Sequence, residues 1–68
     1  MLRYKINVLE ELKRKGYTSY ILRKEKLIGE STIQKLRLGE GVSWDNIETL
    51  CKLLDCNVGD IIEYVKED

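Results

Sequence analysis

Sixty-eight residues, 43% hydrophobic and 35% charged, suffice for one domain (1–68) with a single core, near the lower size at which such a core holds without staples. No run approaches the roughly 18 apolar residues of a membrane span, and the opening MLRYKINVLEELKRKG carries Glu10 and Glu11, unlike a secretory signal. Net charge is zero, but residues 1–37 hold ten Lys or Arg against four Glu, a net of +6 that leaves −6 for the rest, so a basic side able to meet phosphates is expected despite a pI near 6.3.

Glycines at 16, 29, 39, 41 and 59 punctuate the chain at helix-length intervals and predict five helices. Ile6, Leu9 and Leu12, supported by Leu2 and Val8, form the apolar stripe of the first, which stops at Gly16 after three basic residues suited to a helix C-terminus. Thr18 is the expected N-cap of a short second helix to about residue 26, with Ile21 and Leu22 inward. Gly29 caps a third that ends near Leu38. Ser43 is the N-cap of a fourth, where Ile47, Leu50, Cys51 and Leu54 fall at i, i+3, i+4 and i+7. Asn57 followed by Asp60 starts a last helix with Ile61, Ile62 and Val65 on its apolar face. No strand pattern is visible, and short helices on short connections predict an all-α globule.

The two cysteines, Cys51 and Cys56, come without any histidine. A zinc site needs about four ligands and a catalytic thiol an activating neighbour, so both are read as small core residues of a reducing compartment. On one helix their Cα atoms would stand roughly 7.5 Å apart, beyond comfortable disulfide reach. No metal, no cofactor and a cytoplasmic location are expected. Without histidine, a phosphate-cradling glycine motif or a pair of acids in an evident pocket, catalysis is not expected either.

The stretch LIGESTIQKLRLGEG carries the functional signal. Ile33 and Leu36 share one face of its helix, which turns Glu30, Ser31, Gln34, Lys35 and Arg37 elsewhere. An ordinary solvated face is the plain alternative. The link before it, Leu27, Ile28 and Gly29, is too short for a generous hairpin loop and suits a sharp helix-turn-helix corner, the geometry that presents a helix to the DNA major groove.

With those residues in place, GYTSYILRKEKLIGESTIQKLRLGEGVSWDNIETLCKLLDCNVGDIIEYV resembles the lambda-repressor-like, Cro-type (XRE-like) helix-turn-helix family over nearly the whole chain. Gly16, Tyr17, Thr18, Leu22, Ile28, Ser31, Thr32, Ile33, Leu36, Gly39, Ser43, Thr49 and Leu50 carry the pattern, and the ending resembles small regulators of bacteria and mobile elements built from this domain alone. The chain departs from the family at Arg23, where a small residue is usual, at Leu27, where glycine is frequent, and at Ser19, where glutamine is favoured.

The resemblance implies a compact five-helix DNA-binding domain and a transcriptional regulator, by expectation a repressor, that occupies a double-stranded operator in the nucleoid. It puts Glu30, Ser31, Gln34 and Lys35 at base-facing places. Lys35 suits guanine O6 or N7, Gln34 adenine N6 and N7, and Glu30 cytosine N4, although a carboxylate in a first turn is also favoured by the helix dipole alone. Backbone contacts are expected from Thr18, Ser19, Arg23, Arg37 and the loop 39–43, where Gly39 and Gly41 let main-chain N–H groups approach a phosphate and Ser43 opens the fourth helix. Trp44 either binds a phosphate through its indole N–H or packs over the core edge, with packing favoured; Tyr20 and Tyr64 are similarly ambiguous. In this family copies commonly meet near the final helix, which points to Ile62, Tyr64 and Val65 and to a weak homodimer that pairs on DNA. The alternative partner is a protein, met by the polar helix acting as an adaptor or antitoxin-like interaction module.

Overall fold

The computed structural model describes residues 1–67 and orders them as β1 (Leu2–Tyr4), α1 (Val8–Arg14), α2 (Ser19–Lys24), α3 (Glu30–Leu38), α4 (Trp44–Leu54), α5 (Val58–Ile61) and β2 (Ile62–Tyr64). The five helices are those the glycines and caps predict. Asn7 caps α1 through Oδ1, which accepts from the Glu10 N–H at 3.2 Å. Thr18 Oγ1 accepts from the Ile21 N–H at 3.3 Å, and Ser43 Oγ accepts from the Asn46 N–H at 3.2 Å. At α5 the Asn57 N–H donates to the Asp60 carboxylate at 3.0 Å, the start signal read from the sequence.

Four helices end in the same way. Tyr17 N–H bonds the Leu12 carbonyl, Leu27 that of Leu22, Glu40 that of Lys35 and Cys56 that of Cys51, each closing the last turn across a left-handed residue. Those residues are Gly16, Lys26, Gly39 and Asp55. Between α2 and α3 the left-handed place therefore falls on Lys26, one residue before the Leu27 that stands where the family frequently has glycine.

Every helix contributes to one core, in which Val8, Leu12, Leu22, Ile28, Ile33, Leu36, Leu50, Leu54 and Ile61 are buried. Burying each such side chain contributes on the order of 1.5–3 kcal/mol. Leu12, Leu22, Ile33 and Leu50 are fully enclosed, so the two apolar teeth of α3 are anchored among α1, α2 and α4. Cys51 and Cys56 are half-buried free thiols packed against that core. Partial burial pushes the Cys56 thiol up, with Cys51 and Asp60 adding to the shift, so the thiolate is disfavoured at neutral pH.

The all-α expectation is corrected by a small sheet. β1 pairs antiparallel with β2 in the register Leu2↔Tyr64, Arg3↔Glu63 and Tyr4↔Ile62. Leu2, assigned to the stripe of the first helix, lies instead on this strand and is exposed, while α1 begins only at Val8, after the Asn7 cap. The last helix is likewise a single turn. The chain becomes extended at Ile62, so Ile61 alone is enclosed, Ile62 and Val65 are half-buried, and Tyr64 is exposed. A period-2 signal over three residues at each end is too short to stand out against the helical spacing around it.

Candidate nucleic-acid interface

The corner fixes the outward face of α3. Lys26 closes the Schellman turn of α2, Leu27 packs on the core edge, Ile28 is buried, and Gly29 opens α3 in extended conformation. Ile33 and Leu36 then face inward, leaving Glu30, Ser31, Gln34, Lys35 and Arg37 exposed together. Leu38 is the one large apolar side chain exposed on this helix.

Two contacts hold α3 against its neighbours. Arg23 Nη1 donates to Glu30 Oε2 at 2.8 Å, joining α2 to the first turn of α3. Asn46 Nδ2 donates to Thr32 Oγ1 at 3.0 Å in a partly buried bridge from α4. The first brings a predicted backbone-contacting residue and a predicted base-facing one into the same ion pair. Both remain about half exposed, so the pair is screened and dissociable.

The hydroxyl caps keep a free donor. Thr18 Oγ1 and Ser43 Oγ each accept a backbone N–H, which leaves their O–H protons to donate outward, the chemistry a phosphate oxygen needs. Ser19, half-buried, begins α2 beside Thr18. Along this side Lys24, Lys26, Lys35 and Arg37 are exposed cations without an ion-pair partner among the described residues, and Lys24 lies 5.7 Å from the ring of the exposed Tyr20.

The loop after α3 is braced from the sheet. Tyr4 Oη donates to the Glu40 carbonyl at 2.7 Å, and burial pushes the Tyr4 phenol up from its ordinary value. Gly39, left-handed at φ 77°, and Gly41, around which a Cβ would meet no atom within 4 Å, leave the adjoining backbone open to approach. Trp44 corrects the favoured reading of its side chain, since it is 92% exposed and does not pack over the core edge. As first residue of α4 it projects from the helix end, and the core beneath is filled by Leu50 and Leu54 from later turns.

Two supporting residues escape sequence reasoning. Asn46 sits three residues after Ser43, where a polar residue reads as part of the cap, yet its amide reaches across to Thr32. Tyr4 carried no signal, because its contact exists only once the sheet and the loop are folded together. Among the described residues no group of three His, Cys, Asp or Glu is placed to hold a metal, and no helix is long and apolar enough to cross a membrane.

The family model of the Cro/C1-type HTH DNA-binding domain matches residues 7–67, a span that takes in all five helices and β2 and leaves β1 outside. No curated protein and no solved structure gives a significant match. Helix-turn-helix geometry, the polar outward face of α3 and this match over most of the chain agree, and the chain belongs to the Cro/C1-type HTH DNA-binding family.

Proposed function

We propose that the chain is a sequence-specific regulator of transcription that represses by occupying double-stranded DNA, with α3 inserted in the major groove. The observation that carries this reading is the composition of the exposed α3 face, where Ser31, Gln34 and Lys35 stand together as groups able to address base edges. Glu30 joins them only when it leaves Arg23. Backbone contacts fall to Thr18, Ser19, Arg23, Arg37, Gly39, Gly41 and Ser43. The indole N–H of Trp44 reaches a phosphate at the edge of this set and leaves the faces of its ring uncovered.

Use of α3 as an adaptor surface is less well supported. Such a helix needs an apolar patch, and α3 exposes Leu38 alone. Pairing of two copies on adjacent half-sites, with Ile62, Tyr64 and Val65 near the contact, accompanies the DNA reading because one short helix reads only about half a site.

Selection from a random duplex pool at near-physiological salt tests the proposal. Recovery of a defined motif is expected, with log affinity falling against log salt by about 0.9 per phosphate neutralised. Recovery of no motif, with a flat response to salt, would reject it.

A further inference from the structure

The end of α4 brings the two cysteines together. Cys51 lies in the last turn of the helix and Cys56 is the second residue beyond it, and between them Asp55 takes the left-handed conformation, at φ 52°, that reverses the chain. The Cys56 N–H donates to the Cys51 carbonyl at 3.1 Å, the bond that seats the residue after such a turn over the one at its start. The roughly 7.5 Å expected for two residues on one continuous helix therefore does not apply. One hydrogen bond between the two residues holds their Cα atoms less than about 7 Å apart. Neither end of that link is straight, so the separation falls in the roughly 4.4–6.8 Å that a disulfide spans. We propose that Cys51 and Cys56 are a thiol–disulfide site, which a small-molecule disulfide such as oxidised glutathione converts to an intrachain bond that staples the end of α4.

Both thiols are free, and each is reached from outside through its own hollow. Cys51 lines an apolar hollow of about 600 Å³ with Trp44, Ile47 and Val58, and Cys56 lines one of about 270 Å³ with Ile6, Lys15 and Leu54. Burial pushes the Cys56 thiol up, and Cys51 adds to that rise ahead of Asp60 and Asp55, so the two sulfurs lie within electrostatic reach of each other. Cysteine has a single side-chain torsion, and rotation about it between staggered wells brings the sulfurs together without moving the backbone.

The hollows and the raised Cys56 thiol assign the order of attack. Cys51, in the roomier hollow, loses its proton to water, and its thiolate attacks one sulfur of the external disulfide. A mixed disulfide forms on Cys51 and one external thiolate leaves. Cys56 then loses its proton and attacks Cys51 Sγ, which forms the protein disulfide and expels the second external thiolate. Two protein thiols are oxidised and one external disulfide is reduced to two thiols. Cys56 is a poor nucleophile toward molecules in solution and an effective one toward Cys51, because a single turn holds attacker and target side by side. No residue assigned to the duplex lies between 51 and 56, so the inference does not depend on the DNA reading.

Trypsin gives a direct readout, because it cuts after Lys52, between the two cysteines. The reduced chain is incubated with oxidised glutathione, and remaining thiols are blocked with iodoacetamide before digestion. Expected is a cross-linked pair of peptides, one ending at Lys52 and one beginning at Leu53, from an intact chain that has lost two hydrogens and gained no glutathione. A fold that favours the bond is in turn favoured by it. Titration with mixtures of reduced and oxidised glutathione should therefore show closure at least about 10-fold more favourable in the native chain than in urea, about 1.4 kcal/mol. The oxidised chain should melt about 5–10 °C higher. In Cys56→Ser the reaction stops at the mixed disulfide on Cys51, and the measurements on the unchanged chain stand without this variant. A native chain that ends with glutathione on either cysteine, or that cross-links to a second chain, would overturn the proposal. Closure no more favourable in the native chain than in urea, or a Cys51 left unmodified in folded Cys56→Ser, would do the same.

Discussion

Arg23 and Glu30 form an ion pair of 2.8 Å across the helix-turn-helix corner, one partner from α2 and the other from the first turn of α3. On the proposed DNA reading, the pair holds a carboxylate that would otherwise face phosphates and occupies a guanidinium that would otherwise bind one. Glu30→Gln is expected to raise affinity for random duplex while costing folding stability no more than about 1 kcal/mol, as for exposed pairs. Binding to random and selected duplexes with a denaturation curve checks this. Lower affinity for random DNA would mean that Arg23 has no reach toward the backbone.

Lys35 and Arg37 are both exposed on α3, and their roles are separable. Lys35→Ala should lose about 1–3 kcal/mol on a preferred site and relax preference at one position, whereas Arg37→Ala should weaken all duplexes alike. Competition binding against single-position variants of the site distinguishes them. Equal losses for Lys35→Ala on specific and random DNA would remove it from the base-reading set.

Gly41 offers a test of backbone approach without a folding penalty. A methyl group there meets no protein atom and needs no left-handed backbone, so Gly41→Ala should leave stability unchanged or raise it by about 0.4–1 kcal/mol. If the loop N–H groups sit on a phosphate, the same change weakens duplex binding. Unaltered affinity would free residue 41 from the interface.

Lys26 holds the left-handed position at φ 57°, which a side chain adopts at a cost of roughly 1–2 kcal/mol, partly offset in glycine by its greater unfolded-state freedom. Lys26→Gly should therefore stabilise the fold by up to about 1 kcal/mol, several degrees in Tm for a domain of this size. Asp55→Gly should gain less, because aspartate tolerates that conformation better. Thermal denaturation of both variants gives the ranking.

The Tyr4 phenol is raised by burial and donates its proton to the Glu40 carbonyl. Its contribution to stability is complete below the unfolded tyrosine value of about 10 and is lost as pH rises through the higher folded value. Tyr4→Phe should be less stable at pH 8 and show a shallower loss of stability above pH 10, as read by urea denaturation across that range.

The helices were legible because each has a local cause. Thr18, Ser43 and Asn57 sit at the starts, Gly16 and Gly39 at the ends, and the stripes of α3 and α4 point to the residues that become buried. The face of α3 followed, since burying Ile33 and Leu36 determines where Gln34 and Lys35 point. The sheet was not legible, because Arg3 meets Glu63 only through the folding of everything between them, and neither strand is long enough to display alternation. Exposure of Trp44 was missed for a related reason. Its place at the helix start is local, but what lies beside it is set by Leu2 and Ile62 from the two ends of the chain.

Because β1 and β2 come from opposite ends, the loop their pairing closes is almost the entire polypeptide, with Met1 and Val65 joined by paired backbone contacts beyond the last register pair. Closing so long a loop carries the largest entropic cost of any contact in the fold, while the helical turns close over a few residues. From that cost the sheet is expected to assemble last and open first, and its amides should exchange with solvent well before those of Leu12 or Leu50. Each such opening also withdraws Tyr4 from Glu40. The loop after α3 is thereby expected to gain freedom in a local fluctuation, while α3 stays anchored through the buried Ile33 and Leu36.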